Sequence, residues 1–201
     1  MSIKTGRRQA GVTMIELIMF MVIVAIALAG IVAVMRMTTA ASADPLRRKQ
    51  ALMLAEGLLA EVRQAQFSFC DPTSGDEDTA ASSAACAVPE NWGLEPAGIP
   101  RPPRPFDNIN DYVSKADTAE AAFNDPAGRL TDAAGNPIDV SGYSVTLTIT
   151  PDRLNGIGPA APTTSADVDV LRIRVTVRYP EEPDRPVVLD GYRTRYLPGL
   201  R

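Results

Sequence analysis

The sequence predicts an α+β protein: a long N-terminal α-helix, half membrane-spanning and half amphipathic, packed on a C-terminal antiparallel β-sheet. Three observations predict it. From Leu17 to Met35 the chain carries no charge, reading LIMFMVIVAIALAGIVAVM. From Leu46 to Phe67 apolar residues recur at helical spacing. Near the C-terminus, three segments alternate apolar and polar residues with the period of a half-buried strand. The expected layout is a leader over 1–11, a transmembrane helix over 12–36, an amphipathic helix over 37–67 and a globular domain over 68–201. Within that domain, 68–140 holds a cysteine-bounded loop and irregular chain, and 141–198 holds the sheet.

The uncharged run is long enough, at ~1.5 Å per residue, to cross a hydrocarbon core of ~30 Å. Lys4, Arg7 and Arg8 precede it. Basic residues beside a spanning helix stay on the cytoplasmic side, so the N-terminus is expected inside and the bulk of the chain outside. Arg36 marks the far interface. Glu16 is the anomaly, since a carboxylate near the centre of a spanning helix costs about 2.5–3.5 kcal/mol. Two bland alternatives compete. One is a signal anchor whose Glu16 snorkels to the interface. The other is a secretory signal cut at Ala41-Ser42-Ala43, although the run exceeds the ~7–15 apolar residues of such signals.

Asp44-Pro45 has the form of an N-cap followed by a first-turn proline, so a kink or a second helix is expected there. Beyond it Leu52, Ala55, Leu59 and Val62 share one stripe with Leu58 beside it, away from most of the charges. Cys70 and Cys86, both on the outer side, are expected to form a disulfide. Such a closure stabilises by ~3 kcal/mol in a chain-entropy model. The loop between them is almost devoid of apolar residues. Asp71, Asp76, Glu77 and Asp78 within it are candidate Ca²⁺ ligands without the EF-hand spacing. A solvated loop is the favoured expectation, so no cofactor is expected, with Ca²⁺ as the alternative.

Residues 88–105 are rich in proline and expected to be extended surface chain, with Trp92 pinning it to the core. Asp107, Asn110 and Asp111 follow, and turn or cap roles are favoured there over holding a cation. Asp132 to Pro137 is turn chemistry. In the first strand Tyr143, Val145, Leu147 and Ile149 alternate with Ser144, Thr146, Thr148 and Thr150. In the second, Leu171, Ile173, Val175 and Val177 alternate with Arg172, Arg174, Thr176 and Arg178. The third runs from Val188 to Tyr196. Arg172, Arg174, Arg193 and Arg195 are expected to form a basic stripe on the wet face of the meander.

Composition narrows the function. The 201 residues carry a net charge of −4, and without Lys4, Arg7 and Arg8 the side chains sum to −7. That acidity offers no electrostatic footprint for nucleic acid. The chain has no histidine, which excludes a His base, a Ser-His-Asp triad and His-ligated zinc. No catalytic constellation emerges, so an enzyme is not expected.

Gly11-Val12-Thr13-Met14-Ile15-Glu16, with its basic leader and apolar run, resembles the N-terminus of type IV pilins and pseudopilins. Val12 stands where that family usually has Phe. The resemblance implies a prepilin peptidase that cuts after Gly11 and methylates the new amine of Val12. It implies assembly with other major and minor pilins through the N-terminal helix, by way of an inner-membrane machinery. It also implies a single-pass inner-membrane protein with a periplasmic domain, which later enters a pilus or pseudopilus. The new amine lies four residues before Glu16. At ~4 Å and an effective dielectric of 20 such a pair is worth about 4 kcal/mol before desolvation. Val12 and Glu16 are therefore the expected assembly residues. The segment LRRKQALMLAEGLLAEV, the motif Phe106 to Tyr112 and the closing Gly191 to Tyr196 are similar to minor pilins of the mannose-sensitive haemagglutinin pilus, the MshD type. Such a subunit is expected to initiate or cap a pilus. The alternatives are a type II secretion minor pseudopilin and, in another class, a membrane-anchored calcium-dependent adhesin.

Overall fold

A computed structural model describes residues 11–95, 103–180 and 183–195, with backbone alone for 39–44. A single helix, α1, spans Met14–Gln64 and contains Pro45. The chain divides into two units, residues 1–46 and 47–201.

In the first unit, Thr13 starts the helix. Its carbonyl accepts the amides of Glu16 and Leu17, and its Oγ1 accepts the Glu16 amide at 3.4 Å. Thr-x-x-Glu is the spacing of a capping box, and the Thr half is formed here. The stretch Met14–Thr38 has a mean hydropathy of 3.1 and is long and apolar enough to cross a membrane. Its large apolar side chains, from Met14 to Met37, are exposed. The leader expected over 1–11 lies outside the described residues except for Gly11. Asp44 as a cap also falls outside, because its side chain is not described. Pro45 does not start a second helix, since helical backbone runs through it.

In the second unit, the rest of α1 supplies one wall of the core. Ala51, Ala55, Leu58, Leu59, Val62 and Ala65 are buried. Leu52, expected in this stripe, is 38% exposed. Ala51, four residues before Ala55 and so on the same helix face, takes its place. The sheet is a meander in the order β1-β2-β3, from Ser144–Pro151, Val170–Arg178 and Val187–Thr194. All pairs are antiparallel, with Ile149 opposite Ile173 and Ile173 opposite Gly191. Val145, Leu147, Ile149, Ile173, Val175, Val177 and Val187 join the helix stripe in one core.

Gly191 shows how closely the two layers meet. A Cβ placed there would lie 3.1 Å from both Leu59 Cδ1 and Arg63 Cδ. The helix crosses β3 where there is no side chain to hold it off.

The expected basic stripe divides between the two faces. Arg172 and Arg174 are on the outer face, where Arg174 donates to Asp190 at 2.7 and 2.8 Å and Arg172 lies 3.6 Å from Asp152. Arg193 and Arg195 turn inward. Arg193 donates to the Ala65 carbonyl at 3.3 Å. The Arg195 guanidinium sits 4.0 Å from the ring centres of both Phe67 and Phe69. It also donates to the carbonyls of Val168 and Ala166. Alternation through Val187, Leu189 and Gly191 carries these arginines to the helix side and puts Tyr192 outside. Glycine hides that register, because it contributes nothing to an apolar pattern.

Candidate functional site

Two places in the molecule carry functional chemistry. The first is the start of α1. Gly11, Val12 and Thr13 precede the helix, and a Cβ on Gly11 would meet nothing within 4 Å. Glu16 lies in the first turn, where the exposed amides and the helix dipole favour a negative charge. Val12, Met14 and Ile15 around it are all exposed.

The second place is built by three segments of the second unit. Cys70 and Cys86 are bonded to one another. At the base of this loop the Asp71 amide donates to the Val88 carbonyl and the Glu90 amide to the Phe69 carbonyl. The backbone therefore brings Asp71 and Glu90 side by side. The chain then passes Trp92, which packs against the core and donates its indole N–H to the Thr164 carbonyl at 2.7 Å. Glu95 follows three residues later and is buried. The third segment, Ile109–Tyr112, is a short 3₁₀ helix capped by Asn108. It docks on the end of α1 because Gln66 donates to the Asp107 carbonyl and accepts from the Ile109 amide. Asp111 accepts the Asn108 amide at 3.1 Å, so the cap role expected of this motif is realised. The Asn110 carbonyl accepts the Gly93 amide, which ties this segment to the second.

One oxygen from each of Asp71, Glu90 and Glu95 falls within 4.8 Å of the others, and the same holds for Glu95, Asp107 and Asp111. These groups have the spacing to hold a metal ion. Burial raises the Glu90 carboxyl to about 8, with Glu95, Asp71 and Asp107 adding repulsion. Burial also raises Asp111, helped by Glu90 and Glu95.

Of the four loop acids named as candidate calcium ligands, only Asp71 belongs here. Asp76 is instead a turn acceptor, taking Ser74 Oγ and the Ala87 amide. Those hydrogen bonds, that to Ser74 first, hold its carboxyl below the ordinary range. Glu77 and Asp78 belong to neither group. Glu90 and Glu95 gave no sequence signal, because isolated acids in a proline-rich stretch are usually solvated.

Residues 6–32 match the family model described as the prokaryotic N-terminal methylation motif. No curated protein and no solved structure matches the chain. The motif, the exposed apolar helix and the helix-on-meander fold support a membrane-anchored, type IV pilin-like structural subunit. The motif implies a substrate of a prepilin peptidase and assembly with other pilins.

Proposed function

We propose that the chain is a minor pilin of a type IV pilus resembling the mannose-sensitive haemagglutinin pilus, acting in initiation or at the tip. The match at residues 6–32, which includes Gly11 to Glu16, supports the prepilin part of this reading, and the resemblance of the later segments to MshD-type minor pilins supports the rest. Further support comes from three landmarks with structural work to do. The segment after Pro45 supplies the buried face of α1. The motif Phe106 to Tyr112 docks on the helix end. Gly191 admits the helix to the sheet.

In this mechanism the leader is removed after Gly11 and the Val12 amine is methylated. The N-terminus begins in the cytoplasm and the outer unit lies in the periplasm. The apolar helix then leaves lipid and packs among other pilin helices. There an unpaired Val12 amine would be costly to bury. Glu16 of the same or a neighbouring subunit neutralises it and fixes axial register.

Mass spectrometry of the membrane-extracted protein should find a mature chain beginning at N-methylated Val12. Glu16→Ala should still insert, be cleaved and form the disulfide, but be lost from sheared pili when normalised to its abundance in membranes. Entry at the wild-type level would refute the charge-pairing role. A chain beginning at Asp44 would refute the prepilin assignment. Co-purification with a type II secretion machinery instead of pili would establish a secretion pseudopilin.

A further inference from the structure

Several buried carboxylates gather beside Trp92. Asp71, Glu90, Glu95 and Asp111 are 1%, 6%, 5% and 5% exposed. Among the described residues no lysine or arginine forms an ion pair with Asp71, Glu90, Asp107 or Asp111. Glu90 acts weakly on Arg195, whose hydrogen bonds go to the Ala166 and Val168 carbonyls. Like charges at this spacing repel strongly out of water.

The hydrogen bonding supplies a second, separate indication. Asp71 commits Oδ1 to the Thr73 amide and hydroxyl, yet its buried Oδ2 has no hydrogen-bond partner. Asp111 commits Oδ2 to the Asn108 amide, and its buried Oδ1 has none. Glu90 Oε2 is bare in the same way. Asn110, 0% exposed, leaves both its side-chain oxygen and nitrogen unpaired beside Asp111. Buried polar atoms are nearly always satisfied, so several bare ones in one place point to a ligand. Purely structural carboxylates would have spent these oxygens on nearby amides.

The donor set selects the ligand. It is all oxygen and rich in carboxylate, with no imidazole in the chain and both thiols consumed by the disulfide. Such donors suit a hard cation. Five carboxylates drawn from three loop segments suit Ca²⁺, which takes about six to eight oxygens in flexible geometry, better than Mg²⁺, which keeps its waters and is held by about one or two.

We propose that Asp71, Glu90, Glu95, Asp107 and Asp111 form a calcium site centred on Glu95. It joins the base of the disulfide loop, the Trp92 segment and the 3₁₀ helix at the end of α1. Bound Ca²⁺ would cross-link the three segments. The site is independent of the pilus assignment, and its test does not use assembly.

The test uses the full-length chain in detergent micelles, stripped of metal by chelator and titrated with Ca²⁺ or Mg²⁺ alone. Trp92, the sole tryptophan, lines the same cavity as Asp71, Glu90 and Glu95 and so reports on the site. The expected result is a saturable change in its fluorescence at micromolar to millimolar Ca²⁺, the span of known calcium sensors and extracellular modules. The melting temperature should rise by about 5–10 °C at a hundredfold excess over Kd. Glu95→Gln and Asp111→Asn should each remove the shift. If Glu95→Gln does not fold, Asp111→Asn and the wild-type titration decide. No response to Ca²⁺, an equal response to Mg²⁺, or a shift retained in either folded variant would overturn the proposal.

Discussion

The guanidinium of Arg104 lies 2.8 Å from the carboxylate of Glu61, and both side chains are almost fully buried. Arg104 comes from the proline-rich segment and Glu61 from α1. Arg104 also donates to the Phe123 carbonyl and to the hydroxyl and carbonyl of Thr131, with its charge 5.4 Å from the centre of the Phe123 ring. Glu61 accepts the Tyr112 hydroxyl at 3.1 Å. That burial and the nearby carboxylate push the phenol of Tyr112 upward, so it stays a donor. One ion pair therefore fastens the irregular half of the outer unit to the helix.

Removing one partner leaves the other charge buried and alone. Glu61→Ala is expected to destabilise the outer unit by ~3–5 kcal/mol, and Arg104→Met by a similar amount. The double variant should lose less than the two singles combined, because neither orphan remains. Urea unfolding of the full chain in detergent, followed by Trp92 fluorescence, measures all three. Strict additivity would show that the two residues act separately.

Gly191 tests the contact between helix and sheet. An added methyl would press on Leu59 and Arg63 at 3.1 Å, a distance at which the neighbours must yield. Gly191→Ala is expected to cost ~1–3 kcal/mol through overpacking, and Gly191→Val more. Trimming the obstacle should offset part of the loss, so Leu59→Ala should be less harmful in the Gly191→Ala background than alone. The same urea titration reads this coupling.

Arg195 tests the inward arginine. Burial lowers its guanidinium to about 10, which leaves it charged at neutral pH. Its stacking on Phe67 and Phe69 and its fork to two carbonyls are both properties of a planar guanidinium. Arg195→Lys is expected to lose ~1–3 kcal/mol despite keeping the charge. Arg195→Leu should lose at least as much, since it strands the carbonyls of Ala166 and Val168. A lysine variant as stable as wild type would show that charge alone suffices.

The sequence by itself determined what short-range pattern encodes. The uncharged run fixed the exposed helix, and Gly11 to Glu16 marked its start. Alternation from Val145 to Ile149 and from Leu171 to Val177 set two strands and their buried faces. With only two cysteines, Cys70 had one intramolecular partner. Tertiary structure decided what residues do when their partners are distant in the chain. Arg104 lies in a stretch expected to be extended surface chain, yet Glu61 and Thr131 surround it. Arg193 and Arg195 looked like a wet stripe because Gly191 hides the register that turns them inward. Glu90, Glu95 and Asp111 were separate acids until two loop segments met at the end of α1. The physical reason is common to the arginine cases. Burying a charge is unfavourable in isolation and becomes favourable only with specific partners. Those partners are named by the fold, whereas hydrophobic periodicity needs only neighbours along the chain.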